Sequence, residues 1–432
     1  MDLRRGKDFP SALLLMKLWI TLLLNAGISG AASVDYDGWK VLEVYLETVS
    51  DDVIPPTLIK LEDMEAEGYL ALLSVSKVKG TAEVTVSPEA LEDLSKMQDD
   101  GLITFDIISD NLGKILESET RQQQQRKVLR SSITFDSYMS YNDMTSYLES
   151  LEAEYPNKVR VKEVGKSVEM RPIYLVRLTN NIGDNTEKNV VFIDGGIHAR
   201  EWVSPHSALY IIKNLLSASK FTENTEWQII PMLNPDGYVY TWESNRMWRK
   251  NRASFSTCHG VDLNRNFGYK WGGLGTSNNP CSDIYKGPSA FSEPESQALR
   301  DAMLPLAGKV KAYITFHSYG QYIIYPWGYS TQVTHPQTAT MNQAGKVMAR
   351  KIKRQTGAVY RVGNSAVSYY PAAGASDDWT SHEMKVTYVY TIELRDTGSY
   401  GFIIPANQIL PTVKDAWTAA KYMGKLVERK YT

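Results

Sequence analysis

Apolar runs of strand length alternate with longer helical patterns from residue 131 to the end of the 432-residue chain. The runs that predict strands lie at 174–178, 190–193, 228–231, 312–316 and 386–392, and helical patterns lie at 141–153 and 204–216. Such alternation predicts one large α/β domain, in which a mixed central β-sheet is flanked by helices. Functional sites in these sheets lie at strand ends. Polar residues that follow the strands are therefore the first candidates for a site.

The segment ahead of this domain, residues 33–130, differs in charge and in pattern. It carries 20 acidic and 10 basic residues, a net charge of −10, whereas residues 131–432 carry a net charge of +6. Strands are predicted at 41–46, 82–86 and 102–108, and Ser87-Pro88 predicts the start of a helix. These elements predict a small α+β domain, whose acidic surface could dock on the basic domain that follows.

Residues 1–32 have the pattern of a secretory signal peptide. Positive charge comes first, an apolar stretch follows at 18–28, and Gly30-Ala31-Ala32 supplies small residues for cleavage. A membrane anchor is the alternative, but the apolar stretch is short and interrupted for a span. We expect a secreted, extracellular protein without a membrane association.

A basic stretch at 121–130 separates the acidic segment from the large domain. It contains the run Gln122-Gln123-Gln124-Gln125, followed by Arg126, Lys127 and Arg130. We interpret it as an exposed linker that a trypsin-like protease cleaves. The alternative is a solvated helix end with basic residues, and the sequence does not select among the three basic positions.

Two cysteines, Cys258 and Cys281, are present. In a secreted protein they would form one disulfide, whereas zinc ligation by thiolates would need closer cysteine pairs.

A metal site is indicated where the predicted strand 190–193 ends. His198 and Glu201 follow it and can reach one cation, and His317, directly after the strand 312–316, is the best third ligand. Two histidines, one carboxylate and an open position are typical of catalytic zinc. A His-x-x-Glu pair can also be a hydrogen-bonded turn. The remaining histidines occupy a helix (His206), a position beside a cysteine (His259) and polar segments (His335 and His382).

Five motifs give the chain a specific resemblance to a known family. They are the segments 198–205 (HAREWVSP), 245–250 (NRMWRK), 260–266 (GVDLNRN), 317–319 (HSY) and 391–396 (TIELRD). In this order they resemble the zinc metallocarboxypeptidases of the carboxypeptidase A/B family, over essentially all of 131–432. Residues 33–130 resemble the activation peptide of that family. The resemblance implies a zymogen whose domain 131–432 hydrolyses the C-terminal bond of peptides.

The resemblance also implies a role for each matching residue. His198, Glu201 and His317 would hold one Zn²⁺, and Asp262 would accept a hydrogen bond from His198. Glu393 would act as the general base, and Arg249 would stabilise the negative charge that develops on the carbonyl oxygen. The substrate contacts would be Asn264 and Arg265 for the terminal carboxylate, Tyr370 as a closing tyrosine, and Arg200, Tyr319 and Phe402 at the periphery.

Asp377 lies where the family places its specificity residue, which is Asp in B-type and apolar in A-type members. A carboxylate there predicts preference for C-terminal Lys or Arg. Asp377 could instead cap a helix, and Asp378 competes for the role because a shift of one position would exchange them. Ser365 and Ala375 match other positions of this pocket.

The partners expected from the resemblance are peptides and proteins with a free C-terminus, an activating trypsin-like protease, and segment 33–130 as an intramolecular inhibitor. The net charge of −2 does not indicate a nucleic-acid partner, and we expect a monomer. Two alternatives remain, A-type specificity and a non-catalytic peptide-binding member. The sequence lacks HExxH and G-x-S-x-G motifs, which leaves other hydrolase classes without support.

Overall fold

A computed structural model describes residues 34–50, 53–127, 134–183, 187–256 and 258–432, with the side chains of 125–127 left out. The predicted signal peptide, residues 1–32, lies outside the described residues. So does Arg130 of the predicted cleavage linker.

The N-terminal unit is a four-stranded antiparallel sheet with three helices. Its strands are β1 (Lys40–Tyr45), β2 (Leu70–Ser76), β3 (Thr81–Val86) and β4 (Phe105–Ser109), in the order β2-β3-β1-β4. Its helices are α1 (Pro56–Ala66), α2 (Pro88–Asp99) and α3 (Leu112–Lys127). Ser87 caps α2 by accepting a hydrogen bond from the Ala90 N–H, as the Ser87-Pro88 pair predicts. Alternate strand residues, including Leu42, Val44 and Val84, form its core.

Three details of this unit differ from the sequence-based expectation. The sequence patterns did not identify α1 or β2. Strand β4 begins at Phe105 rather than at Leu102, which is exposed. The glutamine run 122–125 lies within α3, which agrees with the alternative of a helix end, because Gln, Glu and Arg are all good helix formers.

The larger unit contains the predicted mixed sheet, which has eight strands. Its strands are β5 (Val159–Lys166), β6 (Pro172–Leu178), β7 (Asn189–Gly195), β8 (Thr225–Ile230), β9 (Val310–His317), β10 (Tyr322–Tyr325), β11 (Arg361–Asn364) and β12 (Tyr388–Glu393). They are arranged in the order β11-β10-β12-β9-β7-β8-β6-β5. The helices are α4 (Tyr141–Glu154), α5 (Val203–Ser217), α6 (Pro235–Glu243), α7 (Pro294–Met303), α8 (Thr338–Thr356), α9 (Ser365–Ser368), α10 (Ser376–Glu383) and α11 (Ala406–Tyr431).

Both faces of the sheet are covered by helices, which explains why its central strands are apolar runs. In β7, Val191 and Ile193 join a core with α4, α5, α8 and α11, whereas Val190 and Phe192 join a second core with α7 and Trp379 of α10. When a parallel strand is buried on both faces, its sequence is continuously apolar and does not alternate between apolar and polar residues.

Two further features bear on the expectations from sequence. Cys258 and Cys281 form the predicted disulfide. Among the described residues, no helix has the length and apolar character that a membrane span requires.

Candidate active site

Three parallel strands bring the candidate catalytic residues together. Strand β9 lies between β7 and β12 and is parallel to both, so their carboxyl ends meet at one edge. His317 ends β9, Glu393 ends β12 directly opposite His317, and His198 and Glu201 follow the end of β7. The sheet therefore places one base candidate beside three metal-ligand candidates.

His198, Glu201 and His317 form a buried group whose ligand atoms all lie within 4.8 Å of one another. The Glu201 carboxylate lies 2.7 Å from His198 Nδ1 and 3.2 Å from His317 Nδ1. The two Nδ1 atoms are 3.1 Å apart. Two imidazole nitrogens and a carboxylate that converge on one point are the donors that Zn²⁺ prefers, so these residues fit that ion.

Asp262 supports this group from behind. Its Oδ1 lies 3.1 Å from His198 Nε2, and its Oδ2 accepts from Arg249 Nη2 at 2.9 Å. Burial would raise the pKa of Asp262, but Arg249, Arg265 and His198 hold it well below its ordinary value. An ionised carboxylate at Nε2 favours the tautomer that leaves Nδ1 free to bind a metal.

Glu393 has the environment expected of a proton acceptor and donor. Burial raises the pKa of Glu393 to about 8, although His317 acts against the increase. The positive charge of Arg249 also acts to lower the pKa of Glu393. Burial disfavours the charged form of Arg249, but Asp262 and Glu201 stabilise it. A carboxyl group whose pKa is close to neutral can both take up and release a proton.

Arg265 and Asn264 are held on a short 3-10 turn, Leu263–Arg265, which Asp262 caps through the Asn264 N–H. Arg265 Nε donates to the Gly275 carbonyl, and Nη1 donates to the Asn264 carbonyl. Asn264 Oδ1 accepts from the Ser376 N–H. These bonds fix the guanidinium, which is partly exposed, in the same cavity as the metal-ligand group, where it could receive a carboxylate.

The two adjacent aspartates of α10 have different surroundings. Asp377 lines the same cavity of about 210 Å³ as the metal-ligand group, Arg265, Ser365 and Ala375. It accepts a hydrogen bond from Thr391 Oγ1 at 2.9 Å, and burial raises its pKa. Asp378 instead accepts bonds from the Gly328 and Tyr329 N–H groups and does not line this cavity. Asp377 is therefore the carboxylate available to a ligand.

The peripheral candidates contact one another and the N-terminal unit. The Arg200 guanidinium lies 4.7 Å from the Phe402 ring centre, and Tyr319 packs edge-on against the same ring. Arg200 donates to the Leu72 carbonyl at 2.7 Å, and Tyr319 donates to Glu83. Tyr370 lines the cavity, with Lys77 of the N-terminal unit 5.8 Å from its ring centre.

Sequence reasoning missed the residues of the N-terminal unit that face this cavity. Glu62 and Glu65 of α1 and Leu72 to Val75 of β2 line it opposite the metal-ligand group. Asp283, which pairs with Arg200 at 3.2 Å and donates its N–H to Glu65, was also missed. In the sequence, only the net negative charge of residues 33–130 indicated that this segment contacts the larger unit. A net charge does not identify the individual residues that make the contact.

Comparisons with known proteins agree with the resemblance. A family model described as zinc carboxypeptidase matches residues 144–419. Carboxypeptidase B of Astacus astacus is 40% identical over 68% of this chain and 99% of its own length. Zinc carboxypeptidase A 1 of Anopheles gambiae is 33% identical over 90% of each chain. The structure of carboxypeptidase A from Helicoverpa armigera matches with a TM-score of 0.83 and 31% identity, over 92% of this chain and 99% of that one.

Proposed function

The chain belongs to the zinc carboxypeptidase family, and we propose that it is the secreted zymogen of a B-type member, which releases C-terminal Lys or Arg from peptides. The observation that carries the proposal is the position of Asp377 in the cavity that also contains Arg265 and the metal-ligand group. Arg265 suits a free terminal carboxylate, and Asp377 suits a basic side chain on the same residue.

Substrate binding begins with two charge pairs. Arg265, with Asn264, binds the terminal carboxylate through the planar donor fork of the guanidinium. The Lys or Arg side chain of the substrate then meets Asp377, whose carboxylate is otherwise buried with Thr391 as a neutral partner. An apolar side chain would leave that carboxylate without a charged partner, which costs affinity.

His198, Glu201 and His317 would hold Zn²⁺, which when bound polarises the scissile carbonyl and makes water a usable nucleophile near neutral pH. Glu393 accepts a proton from the attacking water and delivers it to the nitrogen of the leaving amino acid. Arg249, held by Asp262, directs its positive charge towards the carbonyl oxygen as negative charge develops. Oxyanion donors of this kind contribute on the order of 3 kcal/mol.

The N-terminal unit, residues 33–130, acts as an intramolecular inhibitor in this proposal. Its residues Ile54, Leu58 and Glu62 line the cavity. The Leu72 carbonyl accepts a hydrogen bond from Arg200, which is then not free to contact a substrate. A peptide substrate could not reach Arg265 while this unit is in place. Cleavage near Arg126, Lys127 or Arg130 would release it, leaving residues from about 131 onward as the active domain.

The test is a comparison of substrates with the linker-cleaved protein. Matched peptides that end in Lys, Arg or Phe are incubated with it, and the released amino acid is quantified. We expect Lys and Arg to be released at least about 100-fold faster than Phe, since loss of a buried charge pair costs a few kcal/mol. A chelator should abolish release, and added Zn²⁺ should restore it.

The variant Glu393→Gln separates chemistry from folding in the same assay. It should keep the chelatable metal but lose nearly all activity, because the amide cannot take up the proton. Release of Phe at a rate equal to that of Lys would disprove B-type specificity, and activity in the presence of the chelator would disprove the metal-dependent mechanism.

A further inference from the structure

Helix α8 is unusually basic and lies beside α11. It carries Lys346, Arg350, Lys351, Lys353 and Arg354 and contains no carboxylate. The adjoining half of α11 adds Lys421, Lys425 and Arg429. These lysines and arginines contribute to the positive charge of the larger unit. None of them belongs to the candidate active site.

Four of these cations line a single concavity, which we call the basic groove. It has a volume of about 300 Å³ and is lined by Lys351, Thr418, Lys421, Tyr422, Lys425, Leu426 and Arg429. Lys351 reaches across from α8 to within 5.7 Å of the Tyr422 ring centre. Lys425 and Lys220 approach the Phe221 ring at 5.5 and 5.4 Å. The groove is therefore a compact cluster of cations rather than a scatter along two helices.

The cations of the basic groove are not neutralised by neighbouring carboxylates. Within the described part of the chain, none of Lys351, Lys421, Lys425 and Arg429 has a carboxylate within ion-pairing distance. Other surface lysines do, as in the 2.7 Å pair of Lys309 with Glu187. The pKa of Lys421 is lowered, mainly by burial. The positive charges of Lys425, Lys351 and Lys220 lower it further. This mutual repulsion would be relieved by an external anion.

The basic groove lies at the opposite edge of the sheet from the metal-ligand group. Asn224, directly ahead of β8, donates to Glu428 of α11, and Asn189, at the start of β7, donates to the Tyr431 carbonyl. The last turns of α11 are thus at the amino ends of strands whose carboxyl ends lead to the site. A ligand in the groove would leave the active-site cavity and the N-terminal unit untouched.

We propose that the basic groove binds a linear sulfated polysaccharide. Sulfate groups stay ionised at every physiological pH, and their spacing along a chain allows several to meet the clustered cations at once. The groove is concave, which suits a chain more than a flat bilayer. Among the described residues of α8 and α11, no large apolar side chain is exposed for insertion into lipid. Trp417 packs edge-on against Phe221, with the ring centres 5.5 Å apart, and Trp417 and Tyr422 are both only partly exposed, which leaves little free ring face for the stacking of bases.

The test measures binding rather than catalysis, so its failure is distinct from failure of the proposed function. The linker-cleaved protein is titrated with heparin as the probe, at several salt concentrations. The variant K421Q/K425Q is compared with K162Q/K385Q, which removes the same charge from exposed lysines outside the groove. We expect binding by K421Q/K425Q to be weaker by roughly tenfold, with a shallower salt dependence. K162Q/K385Q should bind like the unmodified protein.

Equal loss in both double variants would overturn the proposal, because it would reflect net charge alone. Single-stranded DNA and vesicles that contain phosphatidylserine are tested at equal charge concentration. Tighter binding to either one than to heparin would also overturn it. Both double variants should release C-terminal Lys at the unmodified rate, which verifies that they are folded.

Discussion

At the scale of single residues, the two adjacent aspartates of α10 show how environment assigns roles to identical side chains. Asp378 is satisfied by two backbone N–H groups, and its removal would leave those donors unpaired. Asp377 has Thr391 as its side-chain donor and lines the cavity. One carboxylate therefore holds the loop at Gly328, and the other is open to a ligand.

The variant Asp377→Ile tests this division of roles. It should shift the Lys-to-Phe ratio of released residues by about 100-fold or more towards Phe, since an apolar wall now meets the substrate side chain. The matched variant Asp378→Asn should keep the ratio of the unmodified enzyme but lower the free energy of unfolding by about 1–3 kcal/mol. Peptide kinetics and denaturant unfolding measure the two effects. An unchanged ratio for Asp377→Ile would show that this residue is not in the specificity pocket.

At the scale of elements, helix α3 of the N-terminal unit is held against the larger unit by a buried ion pair between Glu119 and Arg246. Glu119 accepts from Arg246 Nε at 2.7 Å and from Nη2 at 3.2 Å, and the Arg246 guanidinium lies 3.7 Å from the Trp202 ring centre. Both side chains are buried. Because α3 continues to Lys127, this pair holds the helix that leads into the predicted cleavage region.

Glu119→Gln should loosen α3, because removing one partner leaves a buried charge uncompensated at a cost of about 3–5 kcal/mol. We expect limited trypsin to cut near Arg126 and Lys127 at least several-fold faster in this variant, as followed by gel electrophoresis. Glu117→Gln is the control on the same helix, since Glu117 forms only an exposed pair with Arg121. The same cleavage rate in both variants would show that the Glu119–Arg246 pair does not protect the linker.

Local sequence patterns predicted the long, two-sided strands of the sheet and the helix after Ser87, because these depend on periodicity and on one capping residue. Strands β10 and β11, each four residues long, left too little periodicity to detect. The approach of His317 to His198, or of Asp377 to Arg265, depends on strand order and on contacts across more than a hundred residues. Their positions were therefore predicted through the resemblance to a family. Asp283 was missed because its contact with Glu65 forms only where the two units meet.

At the scale of the whole molecule, the two units meet through buried carboxyl groups. Glu65 accepts from the Leu72 and Asp283 N–H groups, and burial together with Asp283 raises its pKa to about 8. Burial likewise raises the pKa of Glu62 to about 7, against the effect of Arg265. Once the units separate, these carboxyls regain water and pKa values near 4.5. Association therefore takes up protons.

A raised pKa in the joined state gives the direction of the pH dependence. Association is strongest below about pH 4.5 and weakens as pH rises from there to about 7–8, because the separated carboxyls release protons that the joined carboxyls retain. We expect the linker-cleaved protein to stay associated near pH 6 and to separate near pH 9 in size-exclusion chromatography, a readout that is independent of catalysis. Glu65→Gln should flatten this dependence, because the amide does not titrate, whereas the exposed Glu117→Gln should leave it unchanged. Tighter association at the higher pH would contradict the burial of these carboxyls at the contact between the units.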